Sequence, residues 1–584
     1  MAKEIIMPKN GMDMKEGVLI RWLVKVGDKV EKDDPIMEIE TDKVTMESES
    51  PAGGTVLALY YEEGVTIPVL KIIGYIGEEG EEVPAAPPDA EAAAAPAAVT
   101  ESAPVEAPIP VLMQDVSEPE AVVTEANEYD VAVIGGGPAG YVAAIKAAQL
   151  GAGVILFEKD TLGGTCLNRG CIPTKTYVKT AEYIENIRRA AERGIVNDPN
   201  TSVDMPRVVD YKNAVVAKLT GGVGYLLDSY DVTVVYGMAS AKSAHEVECD
   251  GKVYTADALL LCGGSKPGMP PIQGIDHKAV LTSDEILDLS ILPNDLVILG
   301  GGVIGCEIAC AFNAFGANVT IIEMLPDPVA NMGKKVALAI KKSLVASGIT
   351  VLTDTMVGAI EDDAGKPVVV AGDMKLKTDV ILVATGRDAD LSCLGGLAGQ
   401  VNVERGKVVV NERMETGIPG VYAAGDITGG LMLAHTAFKM AETAAENAVG
   451  GDSVCRLNVV PAGLYTMPEA ASVGLDEEAA KEKAGDRLAV GYYSLSANGR
   501  SLASGEPEGF VQVMVDTEYG EILGVRIVGA DAVEMIAEPA ALMAIEATAG
   551  DVADGIVHAH PTYTEAFMEA CADALGRCIH LPKK

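Results

Sequence analysis

Apolar and polar positions follow three regimes along this chain. Up to about residue 80, short alternating segments (VLIRWLVKV, PIMEIET, GTVLALYY) are broken at Gly27-Asp28, Gly53-Gly54 and Glu63-Gly64. Alternation of period two between turn residues predicts β-strands, so residues 1–80 read as a small all-β unit. Its halves echo each other, KVGDKVEKDDPI being followed by YYEEGVTIPVLKII. From Val83 to Asn127 the pattern stops, and Ala, Pro, Glu and small polar residues take over, with PAAPPDAEAAAAPAA at the centre. Such a stretch has too little apolar area to fold, and its prolines favour extension. As a coil its 45 residues would span roughly 35–40 Å. Beyond it, continuous apolar runs predict buried strands followed by helices, and the pattern occurs twice. VAVIGGGPAGYVAAIKAAQLGAGVILFEK, from Val131, realigns on LVILGGGVIGCEIACAFNAFGANVTIIEM, from Leu296. Gly135, Gly137 and Gly140 match Gly300, Gly302 and Gly305 at an offset of 165 residues, and Gly151 and Glu158 match Gly316 and Glu323. Two Rossmann-like units in one chain imply two dinucleotides.

Composition narrows the picture. At 584 residues the chain holds several domains, and 85 acidic against 45 basic residues give a formal charge of −40. That balance argues against nucleic acid and anionic membrane surfaces as partners. No apolar run reaches the roughly 18 residues of a spanning helix, so no membrane insertion is expected. The start, MAKEIIMPKN, has neither a signal-peptide core nor a transit pattern, and a cytoplasmic protein is expected. The ten cysteines are scattered, several in apolar company (Cys306, Cys310, Cys571). They form no disulfide framework and no zinc spacing, so no metal is expected.

Each copy of the glycine loop follows an apolar strand and opens a helix. Each also leads, 18 residues after its last glycine, to an acid closing the second strand. Glycines in that setting let backbone N–H groups and the helix N-terminus approach a pyrophosphate. Glu158 and Glu323 would then bond adenosine ribose hydroxyls, and an acid at 323 repels a 2′-phosphate, favouring NAD over NADP. The plainer reading gives the glycines to helix–strand packing alone.

Directly after Glu158 comes GGTCLNRGCIPTK. Thiols five positions apart on an unbroken helix have Cα atoms about 8 Å apart, whereas a disulfide needs about 7 Å or less. Bonding between Cys166 and Cys171 therefore requires a bent backbone, which Gly163, Gly164 and Gly170 permit; otherwise the two thiols never meet. A dinucleotide extended from the first loop would bring its reactive ring here. A flavin suits, since it exchanges two electrons with a thiol pair and a hydride with a nicotinamide. Lys175, four residues on, either stabilises a thiolate or lies on a solvated face.

HAHPTYTEAF holds His558, His560 and Glu565, and the chain has only six histidines. A turn could bring Glu565 to His560 as orienter to base, and thiol exchange needs a base; the alternative is a surface histidine pair. YAAGDIT places Asp426 just beyond an apolar strand, where an acid can bind ligand hydroxyls. In the polar turn ETDKVT, Lys43 stands between two β-stretches, where an exposed lysine is ordinary.

Together these residues resemble the dihydrolipoyl dehydrogenases, flavoprotein disulfide reductases of 2-oxoacid dehydrogenase complexes. The likeness runs from Tyr129 to the C-terminus, through GGTCLNRGCIPTK, GGGVIGCE, ATGRDAD, YAAGDIT, MLAHTA and HAHPTYTE. Residues 1–80 look like a lipoyl domain with Lys43 at the lipoylation position. The resemblance implies an α/β fold with two Rossmann-like domains and an α+β C-terminal dimerisation domain. In residue ranges it implies a lipoyl domain 1–80, a flexible linker 81–127 and an FAD-binding part 128–272. An NAD-binding domain 273–390, a second FAD-binding/central part 391–459 and a dimerisation domain 460–584 follow. It implies that dihydrolipoamide attacks a Cys166–Cys171 disulfide, with Cys166 as interchange thiol and Cys171 as the flavin-facing, charge-transfer thiolate. His560, oriented by Glu565, would take the thiol proton, reaching the disulfide of the other subunit of a homodimer.

FAD is expected on Gly135, Gly137, Gly140, Glu158, Thr165, Lys175, Ala239, Asp426 and Ala434. NAD is expected on Gly300, Gly302, Val303, Ile304, Gly305, Glu307, Glu323 and Gly386, with Lys175 and Glu307 paired. Lipoate on Lys43 is the third implied cofactor, and lipoyl-bearing acyltransferase or carrier subunits of a multienzyme complex are the implied partners. The chain departs from the pattern in CGGSKP (Cys262–Pro267), at Asp390 in ATGRDAD, and at Tyr177, where a smaller residue is usual. The first two predict modest effects on cofactor affinity. Two rivals are set aside: a glutathione or mercuric reductase, disfavoured by Glu323 and by the absence of an adjacent C-terminal cysteine pair, and a non-catalytic lipoyl carrier, disfavoured by the intact Cys166, Cys171, His560 and Glu565 set.

Overall fold

A computed structural model describes residues 2–8, 16–32, 34–40, 45–61, 64–69, 71–77, 81, 83–84, 128–196, 198 and 201–583. They divide into two compact units, one within residues 1–120 and one within 121–584.

The first unit is all-β. One four-stranded sheet runs Lys3–Ile6, Ile72–Gly77, Gly54–Leu59, Lys29–Val30, and the other Thr45–Glu49, Pro35–Glu40, Glu16–Trp22, Val65–Pro68. All the pairings are antiparallel. Apolar residues of both sheets (Ile5, Leu19, Ile36, Ile39, Ile67, Ile73) close one apolar core. Strands Pro35–Glu40 and Thr45–Glu49 pair with Glu40 opposite Thr45. Lys43, between them, lies outside the described residues, as does nearly all of the Ala/Pro/Glu-rich stretch.

The second unit begins with the first repeat: strand β1 (Glu128–Ile134), helix α1 (Pro138–Gln149) and strand β2 (Val154–Glu158). Pro138 at the helix start costs no hydrogen bond, because a first-turn N–H has no intrahelical partner. Every residue of β2 is buried, which is why it shows no alternation. Helices α2 (Gly164–Arg169), α3 (Cys171–Arg189) and α4 (Met205–Ser229) follow. The sheet orders Thr233–Tyr236, β2, β1, Lys252–Leu261, Glu246–Cys249, Ala239–Ser243, and the distant Val421–Ala423 pairs in parallel with Lys252–Leu261.

The second repeat is β3 (Asp295–Leu299), α5 (Val303–Phe315) and β4 (Asn318–Ile322). Its sheet is parallel throughout, in the order Val280–Thr282, Val380–Val383, β3, β4, Thr350–Leu352. After helix α6 (Ala434–Ala448) the chain builds a five-stranded antiparallel sheet, Ala462–Leu464, Glu469–Gly474, Glu521–Gly529, Phe510–Asp516, Leu488–Ser494. Helices α7 (Ala537–Ala544) and α8 (Glu565–Ala574) complete this region. Buried Ala566, Phe567 and Ala570 of α8 join Val511 and Val513 of the sheet in one core. A Cβ at Gly491 would stand 1.9 Å from the Ala570 carbonyl oxygen, so only glycine allows α8 this close.

Candidate functional site

The two glycine loops are built alike. Gly135 and Gly300 sit at φ 106° and 108°, a region that side chains avoid. A Cβ at Gly140 would lie 1.6 Å from the Gly135 carbonyl oxygen, and one at Gly305 2.1 Å from that of Gly300. Gly137 and Gly302 cap α1 and α5 without a side-chain bond, so the first-turn N–H groups stay free for an anion. Val303 and Ile304 form the first turn of α5. The acid at the end of each repeat closes onto its own loop. Glu158 Oε2 accepts from Gly136 N at 2.7 Å and Oε1 from Asp160 N at 2.8 Å. Glu323 accepts from Gly301 N at 2.6 Å and Leu325 N at 2.8 Å. Both carboxylates are buried, and these bonds hold them where ribose hydroxyls can use the remaining lone pairs. The residues present therefore fit two dinucleotides.

The thiol pair meets across a broken helix. Gly163 and Gly164, both at positive φ, start α2, and Gly170 at φ −131°, ψ −109° separates it from α3. The bend anticipated from the glycines thus falls chiefly after Cys166, between the two cysteines. Both are free thiols, Cys166 half-buried and Cys171 exposed, and each is the other's hydrogen-bonding partner. The bond raises Cys166, as burial does, and lowers Cys171 below the ordinary thiol range, Lys175 adding to that lowering. One thiol of the pair is thus set up as the thiolate.

Lys175 lies one turn along α3 from Cys171 and donates to Glu307 Oε2 at 2.8 Å. Glu307, on α5 of the second repeat, has its side chain 3% exposed, and its other oxygen accepts from Tyr465 N at 2.9 Å. The Lys175 ammonium also sits 4.4 Å from the centre of the Tyr465 ring. A buried carboxylate needs such complete partnering. Lys175, Glu307 and Tyr465 therefore join the thiol helix, the second nucleotide unit and the C-terminal sheet region at one point.

A second knot was not legible beforehand. Arg387, after Gly386 (φ 121°), donates to Ser265 Oγ at 2.8 Å, to the Ser265 carbonyl at 2.9 Å and to Thr165 Oγ1 at 3.3 Å. Ser265 Oγ donates to Asp426 at 2.6 Å. Thr165, next to Cys166, and Asp426 are thereby linked through Arg387 and Ser265. Ala434 opens α6 behind Leu433, which makes no side-chain cap, and the buried Ala239 starts an edge strand. Of the departures, Asp390 pairs with Lys159 at 2.9 Å and accepts from Ser392 N, while Cys262 is buried behind the first loop. Tyr177 is fully buried, stacks on Phe312 of α5 and donates to the Leu287 carbonyl at 2.9 Å. No sequence signal announced that partner.

At the C-terminus, His560 Nδ1 lies 2.8 Å from Glu565 Oε1. Glu565 Oε2 accepts from Thr562 N at 2.8 Å. Burial raises the Glu565 carboxyl, but the Thr562 N–H and His560 outweigh it and hold the group below its usual range. It is therefore an ionised acceptor, so Nδ1 donates to it, and Nε2 has no partner among the described residues. The His560 side chain is 77% exposed.

Two dinucleotide loops flanking a thiol pair define a nucleotide-dependent disulfide oxidoreductase. The chain matches the pyridine nucleotide-disulphide oxidoreductase family over residues 129–441 and its dimerisation domain over 460–571. Residues 3–76 match the biotin/lipoyl family described as biotin-requiring enzyme. The chain belongs to the pyridine nucleotide-disulphide oxidoreductases. It is 39% identical to a dihydrolipoyl dehydrogenase of Bacillus subtilis (strain 168), covering 77% of this chain and 99% of that one. It is 38% identical to a mitochondrial dihydrolipoyl dehydrogenase of Caenorhabditis elegans, covering 78% and 95%. Among solved structures, the HOCl-induced flavoprotein disulfide reductase RclA from Escherichia coli superposes with a TM-score of 0.69 at 28% identity, covering 76% and 99%. Among the described residues no helix is long and apolar enough to cross a membrane.

Proposed function

We infer that this enzyme oxidises dihydrolipoamide to lipoamide with NAD as acceptor, through FAD and a Cys166–Cys171 disulfide. The observation that carries the reading is the thiol pair held between two nucleotide-binding repeats, its lower-lying thiol beside the Lys175–Glu307 pair. The dihydrolipoyl dehydrogenase relatives supply the substrate class. FAD would lie over Gly135, Gly137, Gly140, Glu158, Thr165, Lys175, Ala239, Asp426 and Ala434. NAD would lie over Gly300 to Gly305, Glu307, Glu323 and Gly386.

In the oxidised enzyme His560, polarised by Glu565, takes a proton from one substrate thiol. The resulting thiolate attacks Cys166, which bonds to substrate as Cys171 leaves as a thiolate. The second substrate thiol displaces Cys166, which leaves with that thiol's proton, and the lipoamide ring closes; the two electrons are then on the reduced pair, Cys166 as a thiol and Cys171 as a thiolate, with the first proton on His560. Bound flavin would supply the two-electron exchange between the reduced pair and a nicotinamide. Lys175 steadies the negative charge on Cys171 throughout. The match to a dimerisation domain supports a homodimer, in which His560 would serve the disulfide of its partner. Lys43 would carry the lipoyl group, on a tether spanning residues 81–127, within a multienzyme complex.

Steady-state assay with free dihydrolipoamide and NAD tests the reading. Turnover lost in Cys166→Ser, and reduced at least ~100-fold in His560→Gln, is expected. Unchanged turnover in His560→Gln would remove it as base, and no turnover by the unmodified enzyme would sink the function.

A further inference from the structure

The binding and catalytic residues named above leave unused a cleft of about 450 Å³ in the second unit. None of the residues expected to hold FAD or NAD lines it. Four cations do, Lys266, Arg387, Arg405 and Lys407, together with two carboxylates, Asp388 and Asp390. In a chain of formal charge −40, an excess of cations at one place runs against the average. Asp390 is already held by Lys159 at 2.9 Å, so it neutralises little within the cleft. Lys266 stands opposite Asp388 where Ser265–Pro267 pairs with Arg387–Ala389, and Lys407 stands opposite Glu404 in the hairpin 403–408. Yet among the described residues the side chains of Lys266, Arg405 and Lys407 make no hydrogen bond or ion pair.

The backbone shows that these cations are placed rather than strewn. The hairpin turns through Arg405 and Gly406, at φ 51° and 76°, and a type I′ turn requires positive φ at both positions. Asparagine or glycine suits the first of them, whereas an arginine there holds a left-handed backbone that most side chains avoid. Strain kept at such a point indicates a use for the side chain. Lys407 runs its stem over Gly429, where a Cβ would lie 2.1 Å from Lys407 Cδ. Glycine at 429 therefore clears the lysine's route. Arg387, its side chain 13% exposed, is fixed by Ser265 and Thr165.

We propose that this cleft binds a small phosphorylated molecule, with Lys266, Arg405 and Lys407 holding its phosphates beside Arg387 and Asp388 accepting from a hydroxyl of its organic part. The volume suits a metabolite-sized ligand. Several unpaired cations suit a multiply charged anion, and a guanidinium fork matches phosphate oxygens. A carboxylate in the same cleft repels a ligand that is anionic throughout, but accepts from one that also bears hydroxyls. A nucleotide and a sugar phosphate share this chemistry. Nothing in this site depends on the identity of the thiol substrate or of the base.

Calorimetric titration of the flavin-loaded enzyme tests this, with pyrophosphate, ATP and ribose 5-phosphate as probes and citrate as a phosphate-free control. At low salt at least one phosphate probe should bind once per chain, and citrate at least ~10-fold more weakly. Arg405→Asn, which suits the turn, and Lys266→Gln should each weaken binding about 10-fold. Arg405→Asn should leave flavin content and KM for NAD unchanged. ATP binding more tightly than ribose 5-phosphate identifies a nucleotide and the reverse order a sugar phosphate; either supports the site. Equal affinity in the native enzyme and the Arg405→Asn/Lys266→Gln double variant overturns it, as does the absence of binding by all three phosphates. Citrate binding as tightly as pyrophosphate overturns the ligand class. Binding that appears only once flavin is stripped, or that NAD displaces, assigns the cleft to one of the two dinucleotides and overturns it as a separate site.

Discussion

At the scale of single residues, the site works by assigning one proton to one sulfur. The hydrogen bond shared by Cys166 and Cys171 raises the first and lowers the second, while burial raises both and Lys175 lowers both. The thiolate is therefore present above the lowered Cys171 value and is lost as pH falls through it. Lys175→Met removes a stabilising cation, so the long-wavelength absorbance of the two-electron-reduced enzyme should disappear at a pH about 1 unit higher than in the native protein. An unchanged midpoint would assign the lowering to the Cys166 bond alone. Tyr177 permits a gentler test. Tyr177→Phe keeps the stack on Phe312 and removes only the bond to the Leu287 carbonyl. Stability should fall by about 1 kcal/mol, read by denaturant unfolding, with turnover retained.

Elements show why some of this was legible in advance and some was not. The repeat, the acids that close it and the His560–Glu565 turn are local patterns whose chemistry lies within some 25 residues of sequence. Spacing therefore reveals them. The helix break came out one step differently, because four intervening residues constrain how far apart two thiols lie but not which glycine bends; Gly170 does. Arg387 reaching Thr165, and Tyr177 packing on Phe312, join residues 222 and 135 apart. Nothing in either local sequence names the other end. The paired loops give a differential prediction. A methyl at Gly140 or at Gly305 would meet a carbonyl oxygen well inside contact distance. Gly140→Ala should yield colourless protein, while Gly305→Ala should stay yellow, keep dihydrolipoamide-driven bleaching and lose NAD reduction in stopped-flow measurements. Both variants behaving alike would show that the repeats do not divide the two nucleotides as assigned.

For the whole molecule, the acidic balance and the two compact units suit a carrier joined to an enzyme, and Lys43 is the residue on which that reading depends. Intact-mass analysis of protein made in a host with an active lipoate ligase should find one lipoyl group, absent from Lys43→Arg. An unmodified native protein would reduce the first unit to an accessory role. Arg387 and Glu307 bear on the larger unit differently. Glu307 belongs to the helix of the second repeat, yet both its oxygens are committed elsewhere, to the lysine of the thiol helix and to Tyr465. The second repeat looks like a cassette that could be exchanged for one from another dehydrogenase to alter coenzyme choice. A graft lacking an acid at 307 would remove the carboxylate paired with Lys175 and disturb the sulfur chemistry from the second nucleotide unit. Coenzyme preference in this chain must therefore be redesigned from within the native helix, at the loop ends, rather than by transplanting the domain.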